Sequence, residues 1–266
     1  MNSHPMPAVF LGHGSPMNAI EPNRYAEVWR RFGASIRKPK AILAVSAHWY
    51  TRGVAVTAMP KPRTIHDFGG FPQALFDVQY PAPGDPQLAA RVRDLLAPLD
   101  VQMDQSWGLD HGTWSVLVHV FPQADVPVVQ LSIDGTRPGS YHYDVGKRLA
   151  ALRDEGVLIV GSGNVVHNLR TARWSPGAPP YPWASQFNSQ VIGFLESGEH
   201  AALIDYEQLG EPARLSVPTP EHYLPLLYVI GAQRDGDALS ILVDGIEIGS
   251  AGMLSVAIGG QAAGAA

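Results

Sequence analysis

The stretch 41–50, Ala-Ile-Leu-Ala-Val-Ser-Ala-His-Trp-Tyr, decides the fold. Ala41 to Val45 is an uninterrupted run of apolar and small residues, the pattern of a strand covered on both faces of a sheet. The chemistry then changes within three residues to Ser46, Ala47 and His48. A histidine just past the end of a buried strand stands where open α/β sheets place their ligands, at the carboxyl edge. His48 is therefore read as a metal ligand on which other functional residues converge.

Outward from this stretch, strands and helices alternate. Ala8 to Leu11 reads as a first strand, followed by Gly12-His13-Gly14-Ser15-Pro16, where two glycines let the backbone turn sharply around the imidazole. Asn23 can cap a helix through Ser35 that places Tyr25, Val28, Trp29 and Phe32 on one face. Strands are expected at 53–58, 101–104, 127–133, 157–160, 238–243 and 253–258. Helices are expected at 85–96, from a cap at Thr113 to Val120, at 140–153, at 183–197 and at 221–231, the last with His222 in its first turn. The loop 60–72 is long for a compact domain, which favours a functional role. The pattern predicts one α/β domain with a central, mostly parallel or mixed sheet flanked by helices. Its ordered core is 8–258, and 259–266 is a tail with nothing to pack. The Pro-rich stretch 176–182 is read as an internal loop.

Composition narrows the function. The chain has 266 residues, 45% of them hydrophobic, and a net charge of −5. No run of Lys or Arg forms a basic stripe, which argues against a nucleic-acid partner. Cysteine is absent, so His, Asp and Glu are the ligand types that remain. No apolar run reaches the roughly 18 residues of a membrane span, and the N-terminal segment lacks the pattern of a secretory signal. A soluble cytoplasmic protein is expected.

His13, His48 and His167 share one address, each after a strand and a turn of small residues. In a mostly parallel sheet those turns lie on one edge, so three imidazoles can meet, a set suited to Fe, Zn, Cu or Ni. For the third ligand the residues leave two readings open: Glu221, giving two histidines and a carboxylate, or His222, giving an all-histidine set. His111, in Leu109-Asp110-His111-Gly112-Thr113-Trp114, reads as a proton carrier or hydrogen-bond donor, or else as a loop histidine held by Asp110. His66 stands in the long loop with Phe68, Gly69, Gly70 and Phe71 and is a candidate to line a pocket. Trp49, Tyr50, Trp107 and Trp114 either stack on an aromatic substrate or belong to the core. His119 is read as structural; His4, His142 and His200 are read as surface residues. Gly161-Ser162-Gly163 lacks the rest of a phosphate loop, and Ser15 lacks the flanking pattern of a nucleophile elbow.

The six ordered motifs at 12–16 (GHGSP), 46–49 (SAHW), 64–72 (TIHDFGGFP), 109–114 (LDHGTW), 161–169 (GSGNVVHNL) and 220–225 (PEHYLP) resemble the class III extradiol ring-cleavage dioxygenases. The resemblance covers about residues 8–258 and is greatest to the DOPA 4,5-dioxygenase-like subgroup. It implies one divalent metal per chain held by His13, His48 and His222, where the wider class uses a carboxylate as third ligand. Fe(II) is expected for oxygen chemistry, and an all-histidine set also accepts Zn(II). His167 matches the acid–base histidine and stands as a fourth neighbour of the metal; His111 matches a histidine that assists substrate binding or proton transfer. His66, Phe71 and Trp49 are the candidate substrate contacts. The implied substrates are O2 and a small catechol, DOPA-like or other, and a homo-oligomer is allowed. A zinc hydrolase at the same site and a non-catalytic binding protein are the alternatives.

Overall fold

A computed structural model describes residues 4–175 and 177–260. In chain order the elements are β1 (Ala8–Gly12), α1 (Arg24–Ser35), β2 (Ala41–Thr51), β3 (Val54–Thr57), α2 (Gln73–Phe76), α3 (Pro86–Leu96), β4 (Val101–Asp104), α4 (His111–Val120), β5 (Val128–Asp134), α5 (Gly139–Leu149), β6 (Val157–Gly163), α6 (Pro182–Ser197), α7 (His200–Ile204), α8 (Glu211–Ser216), α9 (Leu224–Gly231), β7 (Leu239–Val243), β8 (Ile246–Glu247), β9 (Ala251–Gly252) and β10 (Ser255–Ile258). Eight strands form one sheet in the order β4-β3-β5-β2-β6-β1-β10-β7, and β8 and β9 form a small ribbon. The central strands β5, β2, β6 and β1 are parallel; β10 and β7 add antiparallel at one side, and β3 joins β5 antiparallel at the other. The chain is thus a single α/β domain with a mixed, mostly parallel sheet. Residues 261–266 of the expected tail 259–266, and Pro176 of the expected loop, lie outside the described residues.

The apolar run of β2 is buried because helices cover both faces. Leu43 and Val45 pack into the layer that contains α9 residues such as Leu226 and Val229. Ile42 and Ala44 point the other way, into the layer with Trp29 of α1 and Leu117 of α4. A strand alternates its side chains, so a double-sided core needs apolar residues at both parities. The helices meet it by periodicity. In α1, Tyr25, Ala26, Trp29 and Phe32 are buried, and the Asn23 side chain accepts hydrogen bonds from the backbone N–H groups of Tyr25 and Ala26 at 3.0 and 2.9 Å.

Four local expectations change. First, His48 lies inside β2, which runs on to Thr51. The pairing register explains this: Val45 pairs with Leu131 and Tyr50 with Ile133, so five steps on β2 match two on β5. The extra residues form a bulge over Ser46–Trp49 that re-aims the side chains there, a common device beside functional sites. Second, α4 begins at His111; its cap is Asp110, whose carboxylate accepts from Thr113 N–H at 3.1 Å, not Thr113. Third, 221–231 is not one helix. A 3-10 turn, Pro220–His222, precedes α9, and Pro225 sits in that helix's first turn. Fourth, His142 is buried rather than on the surface. It shares the inward face of α5 with Val145, Gly146 and Leu149 and lies 2.9 Å from the Tyr228 hydroxyl.

A candidate metal centre at the carboxyl edge

β1, β2 and β6 deliver their histidines to one edge of the sheet. His13 follows β1 directly, and its N–H donates to the Gly163 carbonyl at 3.1 Å. His48 comes from the bulge in β2. His222 comes from a turn 55 or more residues beyond β6, and glycine explains how it arrives. A Cβ on Gly163 would lie 2.1 Å from the His222 carbonyl oxygen, and one on Gly161 would lie 2.6 Å from that of Pro225. Gly161-Ser162-Gly163 is the last part of β6, not a turn. Its glycines are there to let the backbone of the His222 turn settle against the strand.

The candidate ligand atoms of His13, His48 and His222 lie within 4.8 Å of one another. The Nε2 atoms of His13 and His48 are 3.2 Å apart, close to the spacing of two nitrogens that share one ion at about 2.0–2.1 Å. Each ring has an oxygen at Nδ1. His13 Nδ1 lies 3.0 Å from Ser162 Oγ, and the Ser162 hydroxyl donates its single hydrogen to the Gly112 carbonyl. The serine oxygen must therefore accept from His13 Nδ1–H, which leaves the Nε2 lone pair facing the centre. His48 Nδ1 stands 3.4 Å from Asp67 Oδ2, and His222 Nδ1 3.2 Å from Glu221 Oε1. Oxygen partners at Nδ1 are how proteins fix the tautomer and aim of metal-binding imidazoles. Burial, then the neighbouring histidines, holds His13 and His222 well below the usual imidazole range. His48 is lowered to about 3 by burial and His111, against Asp67. The three rings are neutral at neutral pH, the form that ligates a cation. The donor set thus fits one divalent ion.

His167 joins them from the segment after β6. Its N–H donates to the Ser216 carbonyl, it bridges to Ala251 of β9, and its ring stacks on His222 with centroids 3.5 Å apart. Burial is the main cause that lowers it to about 4, with Glu221 opposing. His111, the first residue of α4, lies with its ring 3.8 Å from that of His48. Asp67, a residue the motif reading quoted but assigned no role, holds both. Its Oδ1 accepts from His111 N–H at 2.9 Å, and its Oδ2 sits 3.0 Å from His111 Nδ1. Burial alone would raise the Asp67 carboxyl; these His111 contacts outweigh it and lower it. Asp110 does not hold the His111 ring. It is buried in a network with Ser46, whose hydroxyl donates at 2.7 Å, and with Gln130 and Thr113, and so fixes the bulge to the start of α4.

A cavity of about 260 Å³ opens in front of the histidines. Phe71, one of the candidate substrate contacts, lines it, as does Phe68. His66 does not line it: its Nε2 is 2.9 Å from the Val78 carbonyl, and its ring backs Phe68 edge-on at 5.8 Å. Trp49 does not line it either. It follows His48 by one residue, so strand alternation turns it to the other face, where it stacks on Trp107 at 5.5 Å. Trp114 is buried and donates to the Ile65 carbonyl. His119 is structural as expected, within 2.7 Å of the Asn18 carbonyl. Three rim residues, Leu169, Trp174 and Ile248, carry no signal in the sequence; they stand on a short 3-10 turn, a loop and a turn, whose paths no periodicity predicts. Among the described residues no helix is long and apolar enough to cross a membrane.

Comparison with known proteins identifies the family. Residues 2–247 match the family described as the catalytic LigB subunit of aromatic ring-opening dioxygenase. The chain is 56% identical to a 4,5-DOPA dioxygenase extradiol of Escherichia coli K12, over 97% of both chains. It is 40% identical to one from Beta vulgaris, over 88% of this chain and 89% of that one. A crystal structure of an uncharacterized Escherichia coli K12 protein superposes with a TM-score of 0.85 at 50% identity, covering 96% of this chain and all of that one. The chain is therefore an enzyme and belongs to the LigB family of extradiol aromatic ring-opening dioxygenases.

Proposed function

We propose that this enzyme opens the ring of a small catechol, DOPA or another of similar size, by inserting both atoms of O2 beside the diol. His13, His48 and His222 hold one divalent ion, with His167 as a close fourth neighbour. The observation that supports this most is the set of three neutral imidazoles, each with an oxygen at Nδ1, around one point at the back of an aromatic-walled cavity. When bound there, Fe(II) supplies the one-electron exchange between catecholate and O2 that redox-inert Zn(II) does not.

The chain's own residues do the rest. Phe68 and Phe71 flank the ring and keep water from the reacting face. His167, neutral and in the cavity wall, accepts a proton from a catechol hydroxyl and returns one as the ring opens. His111, anchored by Asp67, positions the diol by hydrogen bonding. The same donor set would also carry a zinc hydrolase, but the family match and the apolar cavity favour ring cleavage over hydrolysis.

The test is anaerobic reconstitution with Fe(II), then addition of a catechol and oxygen. Stoichiometric oxygen uptake with a yellow semialdehyde product is expected. Zinc-loaded protein should bind catechols without turnover. No oxygen uptake with any catechol at full iron occupancy would reject the proposal.

A further inference from the structure

The wall of the cavity that faces the histidines carries no positive charge. It is built from Phe68, Phe71, Leu169, Trp174, Ile248 and Ala251, and no lysine or arginine lines the cavity among the described residues. The carboxylates nearest the site are those of Asp67 and Glu221, engaged with His48, His111 and His222. Arg173, beside Trp174 in sequence, is committed elsewhere: its guanidinium stacks over Tyr181 at 3.8 Å and donates to the Pro179 carbonyl. Beyond the metal site, a negatively charged substituent lying along this wall would meet apolar side chains and no lysine or arginine to pair with.

The same wall leaves large apolar groups uncovered at its mouth. Trp174 is 75% exposed and Leu169 46% exposed, both against the cavity. Ile248 completes the rim at φ +46°, a left-handed conformation that is an outlier for a β-branched residue. Its carbonyl accepts from Arg173 N–H at 2.8 Å, so the turn that presents Ile248 and the loop that presents Trp174 are tied together. At about 260 Å³ the cavity is near the lower end of ordinary ligand sites, roughly 300–1,000 Å³, and suits one ring. A substituent on that ring runs out along the rim.

Resting on the ring-cleavage reading of this site, we propose that the preferred substrate is a catechol with an uncharged, apolar substituent, and that Leu169, Trp174 and Ile248 select it. DOPA, whose side chain ends in a carboxylate and an ammonium, is accepted but is not the best fit. A catechol whose side chain bears a carboxylate alone fits worst.

Calorimetric titration of zinc-loaded protein with 4-ethylcatechol, DOPA and 3-(3,4-dihydroxyphenyl)propanoate tests this without turnover. 4-Ethylcatechol should bind at least about tenfold more tightly than the propanoate, with DOPA between them. The kcat/KM values of iron-loaded protein should keep that order. Leu169→Arg should reduce the discrimination against the propanoate or reverse it. Trp174→Lys, at a more exposed position, carries the same test should the first variant fold poorly. Equal or tighter binding of the propanoate or DOPA by the unaltered protein, or discrimination unmoved by both introduced cations, overturns the proposal. Binding in the expected order without oxygen uptake by iron-loaded protein would instead overturn the ring-cleavage reading and leave the selectivity standing.

Discussion

The histidine wall and the apolar rim face each other across one cavity, yet they are built differently. His13 and His48 stand on or directly after central strands, and Gly163 fixes the approach of His222 to β6. Each of the three rings has an oxygen at Nδ1. The rim residues Leu169, Trp174 and Ile248 stand on a short 3-10 turn, a loop and the turn between β8 and β9. The frame has a strand backbone or a close backbone contact behind each histidine and an oxygen at its Nδ1. The rim has fewer constraints, and loops carried on a rigid scaffold are where specificity varies most readily. On the proposed function, metal chemistry would belong to the sheet edge and substrate choice to the loops.

Substitutions can break this division, and the largest effect belongs to the wall. His48→Ala removes a ligand and should lower metal affinity by more than the roughly 10–100-fold that loss of an outer partner costs, abolishing turnover. Metal content after dialysis measures it. His167→Ala should retain metal and lose about 10²–10⁴-fold in kcat, the usual worth of a positioned acid–base group. If that variant loses metal as well, His167 is a ligand and the assignment of roles is wrong. Asp67→Asn should cost about 10–100-fold in metal affinity or kcat with the fold kept, because it disturbs the aim of His48 and His111 together. An unchanged titration and an unchanged rate would remove Asp67 from the site.

The smallest effect is one of pH. Burial lowers His48 to about 3 and His167 to about 4 in the folded chain, against about 6.5 when unfolded. Protons therefore bind the unfolded chain first. The stability tied to these neutral rings is complete above about pH 6.5 and is lost as pH falls toward 4 and then 3. Between pH 7 and about pH 5 the metal-free protein should lose on the order of 1–2 kcal/mol per such histidine, read from urea midpoints. His167→Ala should flatten part of that slope.

How much of this was legible beforehand depended on the kind of signal. The apolar run 41–45 announced the central strand because double-sided burial leaves no polar alternation. The bulge that places His48 within β2 did not announce itself, since a bulge is a property of pairing with β5. For Trp49 the sequence leaves substrate contact and core both open, and in the structure it stacks on Trp107 away from the cavity. The choice between Glu221 and His222 was closed to local reading. The arrangement depends on a backbone contact between Gly163 and a turn nearly 60 residues away, which brings His222 to His13 and sets Glu221 at the His222 Nδ1. His142 looked like a surface residue because its neighbours are polar, although spacing to Val145 and Leu149 marks the inner face of α5.

Three clusters near this edge bring enough donors together to hold a cation: His13–His48–His222, His48–Asp67–His111 and His167–Glu221–His222. Anomalous diffraction from crystals of metal-loaded protein, recorded at the metal's absorption edge, separates them. A single peak about 2.0–2.2 Å from Nε2 of His13, His48 and His222 is the expected result. A peak among Asp67, His48 and His111, or among Glu221, His167 and His222, would contradict the ligand set on which the assigned roles of His167 and His111 depend.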